Sequence, residues 1–256
     1  MVRERAGFID YSFQSMFVIA GNDALVLLQK TLTNDLRKIS PGRTIFSPIL
    51  DETGTIIDVT IVFWVEENLF ILNGEEEPMK QLTHETLKKN AQGLDVYVIE
   101  RGKGVLALQG PKSRELLQKA MNVDDLPHSS VKQDKLGDIP IIIARGGYTG
   151  ELGYDISVYP EYAHELWDTL MELGKEYKVG PYAAPELIFA TEKGMVSTAD
   201  FYEGSTPLEV KLTWAIGFDK EDFTGKNALL KRKSEVLKTK LMGFEVSDPG
   251  VVAAKG

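Results

Sequence analysis

The segment IPIIIARGGYTGELGYDISV, residues 139–158, consists of two apolar runs on either side of a turn rich in glycine. The first run, Ile139 to Ala144, and the second, Tyr154 to Val158, have the length and composition of β-strands. Four of the nine residues between them are glycine, the residue that most readily adopts the backbone angles of turns. The segment therefore predicts two strands joined by a glycine-rich turn.

Strand and helix patterns are mixed along the rest of the chain. Alternating or β-branched patterns predict strands at 44–50, 56–65, 68–73, 95–99, 105–108 and 213–218, and a last strand starting at residue 241. Helical spacing of apolar residues predicts helices near 24–32, 75–87, 111–121, 161–176, 183–195 and 225–235, with a loop at 122–135. No regular βαβ repeat occurs, so the sequence predicts an α+β fold rather than a doubly wound parallel sheet.

Composition restricts the class of protein. Hydrophobic residues make up 43% of the 256 residues and charged residues 26%, which is typical of a globular protein with a substantial core. The net charge of −9 disfavours nucleic acid and anionic membranes as partners, because both are negatively charged. With no cysteine and three histidines, we expect neither disulfides nor a metal site. A signal-like N-terminus and a membrane-length apolar stretch are both lacking, so we expect a soluble, cytoplasmic protein.

Several local motifs have simple structural interpretations. The glycines of Gly102-Lys103-Gly104 and Gly146-Gly147 superficially suggest phosphate loops, but neither group has the spacing of a nucleotide-binding motif. We interpret both as turns. The acidic run Glu75-Glu76-Glu77 is interpreted as the first turn of a helix, where the helix dipole favours negative charge.

Asp58 interrupts an otherwise apolar strand pattern, Ile56 to Trp64. Its carboxylate is expected either at a solvent-facing edge or in a functional site, and the sequence leaves both alternatives open. Aromatic residues follow one another on consecutive predicted strands, namely Phe46, Phe63, Trp64 and Phe70. Aromatic residues on sheets usually form the core, but these could also line a slot for a flat heterocycle, towards which Tyr148 and Asp155 could both point.

Seven segments, in order and with matching spacing over nearly the whole chain, resemble the folate-binding glycine cleavage T-protein (aminomethyltransferase) family. They are AGFIDYS (6–12), LTND (32–35), TGTIID (53–58), LQGP (108–111), GYTGELGYD (147–155), TPLE (206–209) and FTGK (223–226). The segment GYTGELGY is the most specific of them. The resemblance implies that the protein binds tetrahydrofolate in a central channel.

The resemblance also implies a division into lobes. The family has three lobes, and we expect this chain to form two intertwined antiparallel-sheet lobes of that type. Residues 1–14 and 104–208 are assigned to lobe one, and residues 15–103 and 209–240 to a ferredoxin-like lobe two. Residues 241–256 are assigned to the start of a C-terminal β-barrel lobe that we expect to be absent. A homo-oligomer or a partner chain supplying that lobe is therefore expected.

Five folate-binding residues follow from the resemblance, residue by residue. Tyr148 corresponds to the tyrosine that lies against the pterin, and Asp155 to a glutamate that pairs with the pterin edge. Asn73, at the end of the third strand of the first sheet, corresponds to another folate contact. Phe46 and Phe63 correspond to two tyrosines and keep the ring without the hydroxyl.

The chain departs from the family at polar positions. The family's catalytic group is the second of two consecutive aspartates, and the corresponding pair here is Asp58-Val59. Successive strand residues face opposite sides, so Asp58, the remaining catalytic candidate, cannot replace the missing acid without a bulge or a slip of register. The family's Ser-His is Ser12-Phe13 here, and its Ala-Arg-Asp is Ala184-Pro185-Glu186. The Lys-Gly-Cys-Tyr motif of an iron–sulfur maturation branch is represented by Lys193-Gly194-Met195, without the cysteine.

These departures lead us to expect a tetrahydrofolate-binding one-carbon (methyl or methylene) transferase of the demethylase type, not an enzyme of glycine cleavage. Its donor is expected to be a small molecule. One alternative is a non-catalytic folate-binding or scaffold protein of the same fold. Another is a fragment completed by a missing lobe or a partner chain.

Overall fold

The computed structural model describes residues 1–182, 186–248 and 250 of the chain. The strands are β1 (Gly7–Asp10), β2 (Ser15–Ala20), β3 (Arg43–Leu50), β4 (Ile56–Glu66), β5 (Leu69–Gly74), β6 (Tyr97–Glu100), β7 (Gly104–Gln109), β8 (Ser130–Leu136), β9 (Ile139–Arg145) and β10 (Gly153–Val158). The α-helices are α1 (Ala24–Thr31), α2 (Met79–Asn90), α3 (Ser113–Leu117), α4 (Ala163–Gly174), α5 (Glu186–Glu192) and α6 (Lys226–Lys233).

These strands form one sheet in the order β1-β7-β10-β9-β8-β3-β4-β5-β2-β6, and every pair of neighbours is antiparallel. One half of the sheet contains β1 and β7–β10, and the other half contains β2–β6. The halves meet between β8 and β3, where Ser130 lies opposite Arg43. The predicted α+β class with antiparallel strands is therefore confirmed, whereas the boundaries of the two intertwined lobes stay a prediction.

Each half of the sheet has its own hydrophobic core beneath its own helices. Helix α4 covers the half with β7–β10, and its buried residues Leu166 and Leu170, four positions apart, lie on one face of the helix. Helix α1 covers the other half and buries Leu27 and Leu28 completely, together with Phe17 of β2. Each such side chain contributes roughly 1.5–3 kcal/mol when fully buried. The two cores therefore fix the two halves of the sheet on either side of the region where the halves meet.

Three strands lie where the sequence patterns predicted none. Strands β1 and β2 precede the first helix, and β8 occupies part of the predicted loop 122–135. In β8 only Val131 and Leu136 are buried apolar residues, because its middle residues face solvent. The strand is formed through its seven residue pairs with β9 rather than through an apolar pattern of its own. The loop prediction is therefore wrong for residues 130–135.

Two predicted strands are not formed. Residues Thr213–Ala215 are a 3₁₀ turn, and the N–H of Gly217 donates to the carbonyl of Thr33 at 2.8 Å. Within the run 213–218, Ala215 and Ile216 are buried, and Ile216 packs in a cluster with Leu50 of β3 and Leu229 of α6. In the segment 241–246, the N–H of Leu241 donates to the Glu209 carbonyl at 2.8 Å, and no strand pairs with this segment among the residues that the structure describes. Residues 249 and 251–256, assigned with it to a further lobe, lie outside the described residues.

Helix boundaries differ from the predictions mainly at the ends. Helices α3 and α6 are shorter than the predicted 111–121 and 225–235. Helix α2 begins at Met79, so the run Glu75-Glu76-Glu77 precedes the helix instead of forming its first turn. This places Glu75 at the end of β5, next to the cavity described below.

Candidate functional site

A cavity lies between the two halves of the sheet, and all five predicted folate-binding residues line it. Those residues are Phe46, Phe63, Asn73, Tyr148 and Asp155. The cavity has a volume of about 260 Å³ and adjoins a second chamber of about 770 Å³. Phe46, Phe63, Tyr148 and Asp155 also line the second chamber, so the two form one cleft. Volumes of roughly 300–1,000 Å³ are typical of sites for small organic ligands.

The register of β3, β4 and β5 explains why five side chains share the wall of the cavity. Phe46 on β3 and Asn73 on β5 both lie directly opposite Ile61 on β4. Residues directly opposite each other in a sheet point to the same face. Val59 and Phe63 are each two positions from Ile61, so strand alternation places them on this face as well.

Asp155 approaches the cavity from the other half of the sheet. It lies on β10, opposite Ala107 of β7 and Ala144 of β9. Both of these directly opposite residues are alanine, so neither of their side chains is long enough to cover the carboxylate. The carboxylate is therefore placed to accept hydrogen bonds from the edge of a ligand.

The glycine-rich turn is shaped by Gln109 at the end of β7. Gly147 has a φ of 144°, and a Cβ at this position would lie 2.1 Å from the Gln109 amide. A Cβ at Gly153 would lie 2.3 Å from the same amide. The Gln109 amide also donates to the Gly146 carbonyl at 3.2 Å, and its Oε1 accepts from Thr149 Oγ1 at 2.9 Å. Only glycine permits this close approach, which explains the glycines at positions 147 and 153.

Further contacts fix the position of Tyr148. Its hydroxyl donates to the carbonyl of Val196. The guanidinium of Arg3 donates to the Thr149 carbonyl at 2.6 Å and pairs with Glu151 at 2.8 Å. The turn is therefore held at both ends, and the Tyr148 ring forms a fixed wall of the cleft.

The structure places Asp58 outside the cavity and Val59 inside it. Asp58 is fully buried on the opposite face of β4, beneath α2. Its carboxylate accepts hydrogen bonds from Thr83 Oγ1 at 2.6 Å, from Val59 N–H at 2.8 Å and from Glu75 N–H at 3.2 Å. Burial raises the pKa of Asp58 to about 6, against the lowering effect of these three donors. The candidate catalytic carboxylate is thus separated from the cavity by its own strand, as the alternation rule requires.

Lys103 is a cavity residue that the sequence argument did not select. It is 7% exposed, and its Nζ donates to Asn73 Oδ1 at 3.0 Å and to the Ser15 carbonyl at 3.3 Å. Burial lowers the pKa of Lys103 to about 8, and the charge of Asp155 opposes that lowering. The sequence signal was a charged residue between two glycines, which we had interpreted as a simple turn.

Other departures from the family pattern also lie at the cleft. Phe13, at the position of the family's histidine, lines the first chamber, and Met195, at the position of the maturation branch's cysteine, lines the second. Trp214 lines the second chamber with its ring centroid 5.5 Å from that of Phe46. Ala184 and Pro185, which replace the start of the family's Ala-Arg-Asp, lie outside the described residues.

Within residues 1–182, 186–248 and 250, no group of three or more histidine, aspartate or glutamate side chains is arranged to hold a metal ion. Among the helices of that same part of the chain, none has the length and apolar character needed to cross a membrane.

Comparisons with known proteins identify relatives of the chain. The family model described as the GCVT N-terminal domain matches residues 1–220. Aminomethyltransferases from Halothermothrix orenii and Alkaliphilus metalliredigens are 32% and 34% identical to the chain, and each match covers 98% of this chain. The chain spans 71% and 70% of those relatives' lengths.

Solved structures show the same relationship. The glycine cleavage system aminomethyltransferase T from Bartonella henselae superposes with a TM-score of 0.82 and 28% sequence identity. The match covers 91% of this chain and 64% of that protein, so the chain spans less than two thirds of its length. A chain of the heterotetrameric sarcosine oxidase from Corynebacterium sp. U-96, with a TM-score of 0.51 and 18% identity, shares the fold. From the family model, the curated relatives and the architecture together, the chain belongs to the glycine cleavage T-protein (aminomethyltransferase) family.

Proposed function

We propose that the protein binds tetrahydrofolate and accepts a one-carbon (methyl or methylene) group from a small-molecule donor, as a demethylase-type member of its family. The observation that carries the proposal is the composition of the cavity wall. Phe46, Phe63, Tyr148 and Asp155 share that wall with Val59. By the resemblance, Val59 corresponds to the family's catalytic aspartate.

The residues of the cavity fit a reduced pterin. The rings of Phe46, Phe63 and Tyr148 offer flat apolar surfaces, and Asp155 offers a carboxylate acceptor for N–H groups on the ring edge. Asn73 Nδ2 is buried without a hydrogen-bond partner among the described residues, so it can donate to a ligand acceptor. When bound, tetrahydrofolate supplies the nitrogen that receives the one-carbon group. The protein's contribution is to hold the ring, exclude water and orient the donor.

The choice of donor class follows from Val59. An amine leaving group must be protonated as it departs, and a valine side chain cannot supply that proton. Aryl oxides and thiolates are more stable as anions, so they could depart with the electron pair of the broken carbon–oxygen or carbon–sulfur bond as the methyl carbon bonds to the folate nitrogen. The proton lost by that nitrogen would go to the departing anion or to solvent. Asp58 cannot act in place of the missing acid, because its carboxylate faces α2. Methoxy-aromatic and methylated-sulfur compounds are therefore better donors for this cavity than aminomethyl groups.

The alternative is a folate-binding protein without turnover, and Val59 also favours it. The two functions differ in one observable property. A transferase converts tetrahydrofolate and a methyl donor into a methylated folate and a demethylated product, whereas a binding protein leaves both unchanged.

The experiment is a donor screen under anaerobic conditions with tetrahydrofolate present in excess. Methoxy-aromatic, methylated-sulfur and methylated-amine compounds are incubated with the protein, and both the demethylated donor and the new folate species are quantified. We expect turnover with an oxygen or sulfur donor. Tight folate binding without turnover of any donor class would support the binding protein instead.

A further inference from the structure

Lys103 has an unusual position for a lysine that lines a ligand cavity. It immediately precedes β7, between the two halves of the sheet, and only 7% of its surface is exposed. Lysine is rarely buried to this extent without a partner that accepts its hydrogen bonds. Here the partners are Asn73 Oδ1 at 3.0 Å and the carbonyl of Ser15 at 3.3 Å.

The contact with Asn73 decides which way the Asn73 amide points. An ammonium group can only donate hydrogen bonds, whereas an asparagine amide has one accepting oxygen and one donating nitrogen. The atom next to Lys103 Nζ must therefore be the oxygen, and the nitrogen occupies the other position of the amide. That nitrogen, Nδ2, has no hydrogen-bond partner in the part of the chain that the structure describes.

The wall that faces a ligand then has a defined polarity. Asp155 offers acceptors, and Asn73 offers a donor whose orientation is fixed by Lys103. Other ionisable side chains that line this chamber with Lys103 are Tyr11, Glu75 and Tyr148. The charge of Asp155 favours the ammonium form of Lys103, although burial holds the pKa of that group near 8.

We propose that Lys103 is a positioning residue of this cavity: by donating to Asn73 Oδ1 it makes Asn73 a hydrogen-bond donor, so the cavity selects ligands with an acceptor at that edge. A pterin edge, with N–H donors beside ring and carbonyl acceptors, has this complementary pattern. The choice of tetrahydrofolate as the probe rests on the proposed function, whereas the contact between Lys103 and Asn73 is independent of that function.

The test is a double-mutant cycle on tetrahydrofolate affinity, measured by anaerobic calorimetry with wild type, Lys103→Met, Asn73→Ala and the double variant. We expect each single change to weaken binding about tenfold, the usual effect of one lost hydrogen bond near a charged group. Because Lys103 acts through Asn73, the double variant should be no weaker than Asn73→Ala alone. Multiplicative losses in the double variant, or wild-type affinity in Lys103→Met, would overturn the proposal.

Two controls separate positioning from a structural effect. Lys103→Arg keeps a side chain that can only donate hydrogen bonds, so this variant should retain most of the wild-type affinity. Lys220 is also buried, at 3% exposure, and donates to the carbonyls of Leu32 and Asn34, outside both chambers. Lys220→Met should therefore lower thermal stability without changing affinity for tetrahydrofolate. Equal loss of affinity in Lys220→Met and Lys103→Met would mean that Lys103 acts only through stability.

A measurement without ligand keeps the inference separate from the proposed function. Carbon-13 NMR of labelled lysine side chains, followed with pH, gives the pKa of Lys103 directly. We expect titration near pH 8 in wild type and at a lower pH in Asn73→Ala, because removal of the acceptor destabilises the ammonium form. An unchanged titration in Asn73→Ala would refute the contact. Failure of wild type to bind tetrahydrofolate would instead refute the proposed function.

Discussion

Replacing Asp58 by asparagine is expected to stabilise the protein at neutral pH. Asp58 is fully exposed to water in the unfolded chain, where its pKa is about 3.9. In the folded protein burial raises that pKa to about 6. The folded state therefore favours the protonated carboxyl. Its contribution to stability is fully present below about pH 4 and is lost as the pH rises through 6.

The size of the effect follows from the two pKa values. One pKa unit corresponds to about 1.36 kcal/mol, so the difference of about two units lowers the free energy of unfolding by about 3 kcal/mol between pH 4 and pH 7. Asparagine resembles the neutral carboxyl in shape, and its oxygen can accept from Val59 N–H and Glu75 N–H. Asp58→Asn should therefore equal wild type in stability near pH 4 and exceed it by roughly 1–3 kcal/mol at pH 7.5.

The assay is urea unfolding of both proteins from pH 4 to pH 8, monitored by far-UV circular dichroism. Asp35→Asn is a matched control of opposite sign, because the hydrogen bond from Arg37 holds the pKa of Asp35 below its usual range. That contribution is present above the unfolded pKa and is lost on acidification, so the control should destabilise the protein at pH 7.5. If Asp58→Asn were less stable than wild type at pH 7.5, the ionised carboxylate of Asp58 would stabilise the folded protein, and the reasoning from its raised pKa would be wrong.

Three further outcomes are expected. Asp155→Ala should weaken tetrahydrofolate binding by about 1–3 kcal/mol in calorimetry, the cost of losing a charge-assisted hydrogen bond. The control Asp134→Ala, outside the cavity, should leave the affinity unchanged. Equal affinity of Asp155→Ala and wild type would remove Asp155 from the site. Wild type should form no methylenetetrahydrofolate from an aminomethyl-loaded carrier protein. Val59→Asp should not produce this activity, because Phe13 also departs from the family's pattern. Robust transfer by wild type would contradict our interpretation of Val59. The exposed apolar side chains of Val236, Met242 and Phe244 should promote self-association, which light scattering would detect. Phe244→Ser should reduce that self-association. A wild-type monomer at high protein concentration would show that this surface does not mediate self-association.

The glycine-rich turn and the strands around it could be predicted from sequence because their signals are local. The glycines of Gly-Tyr-Thr-Gly indicate backbone angles that are typical of turns, and the β-branched residues of β4 and β9 are typical of strands. The opposite orientations of Asp58 and Val59 followed from alternation along a single strand, which needs no knowledge of the rest of the fold.

Other features depend on contacts between distant parts of the chain. Strand β8 has a polar sequence and exists because β9 pairs with it. The run 213–218 contains a 3₁₀ turn at Thr213–Ala215, and its Ile216 packs with side chains from distant elements. Lys103 could not be recognised from its two neighbouring glycines. Its role becomes visible only in the folded protein, where β5, the start of β7 and β10 bring Asn73, Lys103 and Asp155 to the same chamber.

The most direct measurement is anaerobic calorimetric titration of wild type with tetrahydrofolate. A ligand enclosed between the aromatic walls and held by Asp155 and Asn73 should bind at one site per chain with micromolar affinity, about −8 kcal/mol. The same ligand at about 100 times its dissociation constant should raise the free energy of unfolding by about 2.7 kcal/mol. Absence of saturable binding at millimolar tetrahydrofolate would contradict the assignment of this cavity as a folate site.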